Sequence, residues 1–318
     1  MLTFNNYNLT FDNMWLAHKQ LPPMSLRVKL VHDPDPYLHW KGTWTKVNDE
    51  PCIWDVTYDN PDWTSLLQEN GAAPDNNVIA VIEAGDTSGV TNTSYMFQHC
   101  YRLKYTVKFD TSNVTDMSAM FTYCRNLQTI PAFDTSSVTS MIAMFSYCDR
   151  LRAIPLLDTS SLLNMNGMFN NCVKLVDVPL LNTSNVTEML GTFIYCEALN
   201  TVPLFDTHNV TNMSVMFANC YNLNNVPLFN TANVTDMSAM FRNCSSLKYV
   251  NLFDTSVVTN MSSMFDMCGN VESGALALYQ QASTQANPPS SHLYTFRGCG
   301  SNTVTGAAEL AQIPNDWI

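Results

Sequence analysis

Charged side chains are scarce in this 318-residue sequence, and positive charge is the scarcer kind. Only 13% of the residues are Asp, Glu, Lys or Arg, against roughly 25% in ordinary soluble domains, and the formal net charge is −12. A chain with this balance is not expected to bind phosphate backbones or anionic membranes through its overall charge. The composition therefore argues against a nucleic-acid-binding protein.

Long apolar segments are missing as well. No stretch reaches the roughly 20 apolar residues that a membrane-spanning helix needs, so membrane insertion is not expected. The N-terminal segment MLTFNNYNLTFDNMW has no basic region followed by an apolar one, so we expect no secretory signal. An exposed position for such a chain would then require another route out of the cell.

Residues that support catalysis or metal binding are scattered. There is no C-x-x-C pair and no nucleophile motif, and the six histidines lie far apart, at positions 18, 32, 39, 99, 208 and 292. We therefore expect no enzyme activity, no metal site and no cofactor.

One segment is abundant because it is repeated. DTSNVTDMSAMFTYC at 110–124 returns in close copies at 134, 158, 182, 206, 230 and 254, with a weaker copy at 86. The cysteines of these copies are separated by 24 residues without insertion, at Cys100, Cys124, Cys148, Cys172, Cys196, Cys220, Cys244 and Cys268. A fixed period of this length predicts a solenoid, in which stacked coils share one core.

Each unit carries two apolar patterns. From Val114 to Cys124 the apolar residues fall at i, i+3, i+6, i+7 and i+10, which predicts a short helix or 3₁₀ segment. From Leu127 to Phe133 they predict a strand of about three residues, joined in later copies by residues such as Leu180 and ended by a column of prolines. The fold class expected is an α/β repeat solenoid of leucine-rich-repeat-like coils, with a small β cap at its N-terminal end.

The invariant polar and sulfur-containing columns have structural interpretations. Fourteen of the 18 Met residues fall in two repeat columns, and we expect them to fill the core rather than to bind metal. The cysteines are expected to be free and buried, since parallel side chains on adjacent coils do not face each other as disulfide partners must. The Asp column could be a calcium row or a series of Asx turns, and Asn182 and Asn230, which keep the acceptor without the charge, favour the turns.

The segments outside the array predict four parts in all. SLRVKLV, WKGTWTKV, CIWDVTY and NVIAVIEAG read as strands, Asn60-Pro61-Asp62-Trp63 as the start of a helix, and Phe296-Arg297-Gly298-Cys299 as a last, degenerate coil. The predicted parts are an N-terminal docking peptide and linker at 1–25, a β cap with coil zero at 26–85, the solenoid at 86–270 and a C-terminal cap at 271–318.

Two sets of residues are candidates for binding. The first is the N-terminal apolar set, which either docks the protein onto an assembly or packs on the β cap: Phe4, Tyr7, Leu9, Phe11, Trp15 and Leu16. The second consists of tyrosines next to the repeat cysteines, which either contact a ligand or only seal gaps between coils: Tyr101, Tyr123, Tyr147, Tyr195 and Tyr221.

The repeat D-T-S-x-V-T-x-M-S-x-M-F-x-x-C-x-x-L resembles the BspA-like leucine-rich repeats of bacterial, mycoplasmal and protist surface proteins, over about residues 86–270. The two ends more loosely resemble BspA-like proteins encoded by gut bacteriophages and their hosts. The resemblance implies adhesion, in which an exposed solenoid binds a host cell-surface protein or glycan. With no export signal expected, a virion surface protein is favoured, attached through its N-terminus to virion or fibre proteins or to further copies of itself. The alternatives are a structural decoration or fibre subunit and a bacterial cell-surface adhesin.

Overall fold

The computed structural model describes residues 24–31, 42–64 and 78–318. Its N-terminal part is a four-stranded antiparallel sheet in the order β2-β3-β1-β4. The strands are β1 (Ser25–Leu30), β2 (Thr43–Asn48), β3 (Ile53–Thr57) and β4 (Val78–Ala84). All four runs predicted as strands therefore form strands. The helix predicted from Asn60 onward continues into residues 65–77, which lie outside the described residues.

A buried arginine holds this sheet in register. Arg27 on β1 lies opposite Asp55 on β3 and Glu83 on β4. Its guanidinium donates to both oxygens of Asp55, at 2.7 and 3.1 Å, and to Glu83 at 2.6 Å. The hydrogen bond to Asp55 is the main reason why the pKa of Arg27 is raised. Because a buried guanidinium without partners is costly, the two carboxylates favour this strand order over slipped ones.

The coils contain neither helix nor strand. No residue from 85 to 274, all of which are described, belongs to either. The coils are instead joined by isolated parallel bridges between residues 24 apart, such as Asn92 to Asp116 and Asp116 to Ser140. The series starts at Asp62, which supplies a coil zero, and ends at Ser291. The predicted make-up of each coil, a short strand plus a short helix or 3₁₀ turn, is therefore wrong.

The backbone hydrogen bonds explain why no helix forms. Alternate N–H groups from Met117 to Tyr123 donate to carbonyls of the next coil at 2.7–3.0 Å. The N–H groups between them close tight turns within their own coil, as Met120 does to Met117 at 3.2 Å. Ala119 and Tyr123 have positive φ angles of 54° and 63°. An α-helix needs negative φ throughout and keeps its N–H groups for itself, so the apolar spacing here is that of successive turns.

The second half of each coil forms no strand because few of its backbone groups reach the neighbouring coil. Gln128 donates to the Lys104 carbonyl at 3.1 Å, and Lys248 to that of Asn224 at 3.2 Å. Proline follows shortly after in most coils and has no N–H to extend the pairing. Stability in this half must come from side chains.

The core is built from columns of identical residues. Nine phenylalanine rings stack from Phe97 to Phe296 with successive centroids 5.2–6.0 Å apart. The repeat methionines are buried beside them, each at most 1% exposed. The prediction that methionine fills the core is confirmed. Such stacked rings add to the free energy gained from burial alone.

The repeat cysteines are buried thiols, as predicted. From Cys124 to Cys268, each thiol donates to the carbonyl of the phenylalanine 27 residues earlier, at 3.0–3.2 Å. Burial raises the pKa of both Cys100 and Cys268 to about 12. Thiols held in this protonated form are weak nucleophiles at neutral pH.

The C-terminal end closes the stack with one more coil and two helices. The Phe265 and Met267 N–H groups donate to the Thr295 and Arg297 carbonyls, both at 2.8 Å, so the predicted last coil is confirmed. Trp317 lies over the final ring, Phe296, at a centroid distance of 6.2 Å. The helices are α1 (Ala275–Thr284) and α2 (Val304–Leu310).

The Asp and Asn column forms Asx turns. Asp110 Oδ1 accepts from the Ser112 N–H at 2.9 Å and from its hydroxyl at 2.7 Å. Asn182 makes the same two bonds with Ser184, at 3.1 and 2.8 Å, without a charge. The described residues contain no group of three or more His, Cys, Asp or Glu side chains placed to hold a metal ion. The Asx-turn interpretation is confirmed, although the turn precedes no helix.

Replacing Asp158 tests this role. Its Oδ1 accepts from the Ser160 N–H at 3.0 Å and hydroxyl at 2.6 Å. Asp158→Ala should lower the free energy of unfolding by about 1 kcal/mol, whereas Asp158→Asn should leave it nearly unchanged. Urea denaturation measures both. A melting temperature that falls on addition of EDTA would contradict the Asx interpretation.

The same turns have a pH dependence. The hydrogen bonds from Ser160 lower the pKa of Asp158, and those from Ser136 lower the pKa of Asp134. A depressed folded-state pKa stabilises the fold above the unfolded value of about 3.9, and this contribution is lost as pH falls through the folded-state pKa. Between pH 5 and pH 3, Asp158→Asn should therefore lose less stability than the unchanged protein.

Candidate binding surface

One exposed column runs along the position before each repeat cysteine. We call it the tyrosine ridge, and all of its residues have φ between 58° and 63°: His99, Tyr123, Tyr147, Asn171, Tyr195, Asn219, Asn243 and Met267. Asn is tolerated at positive φ better than most residues, which accounts for its recurrence here. The backbone therefore presents each of these side chains from the same turn in the same orientation.

Rings at the N-terminal end of the ridge stack on one another. The Tyr123 ring lies 4.7 Å from His99 and 4.4 Å from Tyr147, nearly parallel to both, and Tyr101 meets its edge at 6.5 Å. Both faces of Tyr123 are thus covered by neighbouring rings. The cluster presents ring edges and hydroxyl groups to solvent rather than open faces.

The protonation states of this cluster follow from partial burial. Burial, with smaller contributions from Tyr123 and Tyr195, raises the pKa of Tyr147. Burial lowers the pKa of His99, whose Nδ1 lies 2.9 Å from the Tyr101 hydroxyl. At neutral pH the surface is therefore uncharged and rich in hydroxyl donors and acceptors.

The structure divides the predicted tyrosines into two groups. Tyr101, Tyr123 and Tyr147 belong to the stacked cluster, while Tyr195 and Tyr221, on the next two coils, are 38% and 39% exposed. Burial and then Tyr195 raise the pKa of Tyr221, as expected if the two lie close together. Sequence reasoning missed His99, although its place before Cys100 matches that of Tyr123 before Cys124. The N-terminal docking set, Phe4 to Leu16, lies outside the described residues and remains a prediction.

A second exposed column was not predicted. We call it the leucine ridge, and its residues are 54–66% exposed: Leu156, Leu180, Leu204, Leu228 and Leu252. The expectation that Leu180 joins the core face is wrong, because Leu181 beside it takes that place and is 2% exposed. An apolar stripe of this kind is typical of a surface that another molecule covers.

No helix among the described residues combines the length and hydropathy needed to cross a bilayer. The comparison with curated proteins finds no match. Three bacterial structures resemble the chain. The leucine-rich repeat protein of T. pallidum is 25% identical, with a TM-score of 0.40, over 53% of this chain and 78% of that one.

A leucine-rich repeat protein from Eubacterium ventriosum is 16% identical, with a TM-score of 0.44, over 70% of this chain and 65% of its own. A leucine-rich cell surface protein from Faecalibacterium prausnitzii is 17% identical, with a TM-score of 0.29, over 72% and 80%. A family model described as "Mycoplasma protein of unknown function, DUF285" matches residues 68–178 and 163–277, which together exceed half of the chain. The protein, with its repeated turns, phenylalanine stack and exposed ridges, therefore belongs to the DUF285 family.

Proposed function

We propose that this protein is a non-enzymatic adhesion protein that binds a host cell-surface glycan or protein through the tyrosine ridge. It is exposed on a bacteriophage virion, to which its N-terminal segment attaches it. Family membership and the bacterial leucine-rich repeat neighbours favour a protein-interaction or adhesion role. The virion position rests on the resemblance of the chain ends to phage-encoded proteins, with a bacterial cell surface as the alternative.

The stacked cluster of His99, Tyr101, Tyr123 and Tyr147 is the observation that carries this proposal. Ligand binding costs less entropy when contact side chains are already fixed, and rings stacked across coils are fixed before any ligand arrives. The outward hydroxyl groups can donate to and accept from sugar hydroxyls or peptide groups. A rigid solenoid keeps them at constant spacing along its axis.

Replacing Tyr123, Tyr147 and Tyr195 together with Asn tests the proposal. Asn already occupies this column at Asn171, Asn219 and Asn243 with the same φ, so the backbone should be retained. We expect at least a tenfold loss of binding to host cells in a pull-down or glycan-array assay, with a small change in melting temperature. If the variant loses several kcal/mol of stability but the folded fraction still binds, the rings only seal gaps between coils.

The leucine ridge favours a second candidate, a structural decoration or fibre subunit that packs against a neighbouring subunit. The matched variant replaces Leu180, Leu204 and Leu228 with Ser. Under the adhesion proposal this variant binds cells as the unchanged protein does. Under the structural alternative it fails to assemble into particles or oligomers, and the tyrosine variant assembles normally.

A further inference from the structure

The positive charges of the array are concentrated at one place. Six of the 15 Lys and Arg residues of the chain lie one to four positions after a repeat cysteine in four consecutive coils. We call them the basic band, and all are exposed: Arg102, Lys104, Arg125, Arg150, Arg152 and Lys174. A chain with a net charge of −12 thus carries a compact positive surface.

The coils that carry the band are in register. Asn126 Nδ2 donates to the Tyr101 carbonyl at 2.8 Å, Gln128 N–H to that of Lys104 at 3.1 Å, and Val176 N–H to that of Arg152 at 3.0 Å. Parallel backbone segments joined in this way lie about 4.8 Å apart. The six cations therefore fall within about 15 Å along the solenoid axis.

These charges are largely uncompensated. Asp149 is the acidic residue within the same positions, and it lies 3.9 Å from Arg125. Within the described part of the chain, the other five cations form no ion pair. The same positions in the next four coils hold one Lys and two Glu, and Lys248 pairs there with Glu272 at 3.2 Å. Like charges held this close repel one another, and an anionic ligand would relieve that repulsion.

The band adjoins the tyrosine ridge. Arg102 follows Tyr101 in the chain, and the Arg125 guanidinium lies 5.9 Å from the centre of the Tyr101 ring. Amides lie among the cations at Asn126 and Gln128, and they recur beyond the band in a shallow groove lined by Asn200, Asn222, Asn224 and Asn270. Cations, amides and phenol hydroxyls thus form one continuous surface along successive coils.

We propose that the basic band binds an anionic polysaccharide, whose carboxylate or sulfate groups meet the cations while its hydroxyls meet the amides and tyrosines. The inference rests on the proposed adhesion function and specifies its ligand class. Single-stranded nucleic acids need open aromatic faces for base stacking, and both faces of Tyr123 are covered. An acidic protein would favour a large apolar centre, whereas the leucines within these positions, such as Leu127 and Leu151, are fully buried.

The test compares two triple variants that change the net charge equally. Arg150→Gln, Arg152→Gln and Lys174→Gln remove half of the band, and Lys46→Gln, Lys108→Gln and Lys248→Gln remove three cations elsewhere. Fluorescence anisotropy with labelled dextran sulfate should show at least tenfold weaker binding for the band variant. The control variant should stay within about twofold of the unchanged protein. Because each cation contact releases counterions, the band variant should also have the shallower dependence on salt.

Unlabelled dextran, poly-glutamate and an oligo-dT strand serve as competitors. Competition by neutral dextran at equal concentration, equal losses in the two triple variants, or no binding of dextran sulfate would overturn the inference. Stronger competition by poly-glutamate or oligo-dT would assign the band to a protein or a nucleic acid and also overturn it. If cell binding persists in the band variant but is lost in the tyrosine variant, the adhesion proposal stands and this inference alone fails.

Discussion

Replacing Phe193 with alanine is expected to lower the free energy of unfolding by about 3–5 kcal/mol. Phe193 is fully buried in the middle of the ring stack, 5.4 Å from Phe169, 5.5 Å from Phe217 and 6.1 Å from Phe205. Alanine would leave a cavity that three fixed rings cannot collapse to fill. Urea denaturation followed by circular dichroism measures the change.

The stack also transmits stability along the solenoid, because each coil contacts mainly its two neighbours. The loss at Phe193 should therefore uncouple the two halves of the array and broaden the unfolding transition. The control is Leu204→Ala in the same coil, which is 60% exposed and should change stability by no more than about 0.5 kcal/mol. Equal effects of the two substitutions would show that the phenylalanine column does not hold the coils together.

Deleting residues 271–318 is expected to turn a monodisperse protein into a self-associating one. The deletion bares Phe265, Met261 and Met264, which are at most 1% exposed in the full chain. It also removes the carbonyls of residues 291–297, which accept hydrogen bonds from alternate N–H groups between Met261 and Met267. An apolar end with unpaired backbone groups is a template for association with another such end.

Size-exclusion chromatography with light scattering measures this outcome, and the melting temperature should fall at the same time. The control keeps the cap and changes Val304, which is 90% exposed, to Ser. That variant should elute and melt as the full chain does. A truncated protein that stays monomeric and melts at the original temperature would show that the last helices and coil do not close the core.

Several features could be predicted because they repeat. The 24-residue period, the buried cysteines and methionines and the Asx turns each occur in many coils, so substitutions such as Asn182 for Asp could discriminate between interpretations. The local conformation could not be predicted in the same way. An apolar spacing of three and four residues is shared by a helix and by successive turns, and the positive φ of Ala119 and Tyr123 leaves no mark in the hydropathy pattern.

The surface depended on the folded geometry still more strongly. Leu180 and Leu181 are identical in hydropathy, and only the path of the chain at the preceding proline places one in the core and the other in solvent. The net charge of −12 likewise averages over a surface on which Arg102 and Lys174, 72 residues apart in sequence, belong to one positive band.

The residue pattern alone establishes that the chain is a stacked solenoid and identifies most of the columns it buries, since one repeat cannot cover its own apolar residues and eight in register can. The conformation of each coil and the grouping of exposed side chains required the three-dimensional structure. Hydrogen bonds between coils select turns over helices, and stacking brings side chains 24 residues apart into contact.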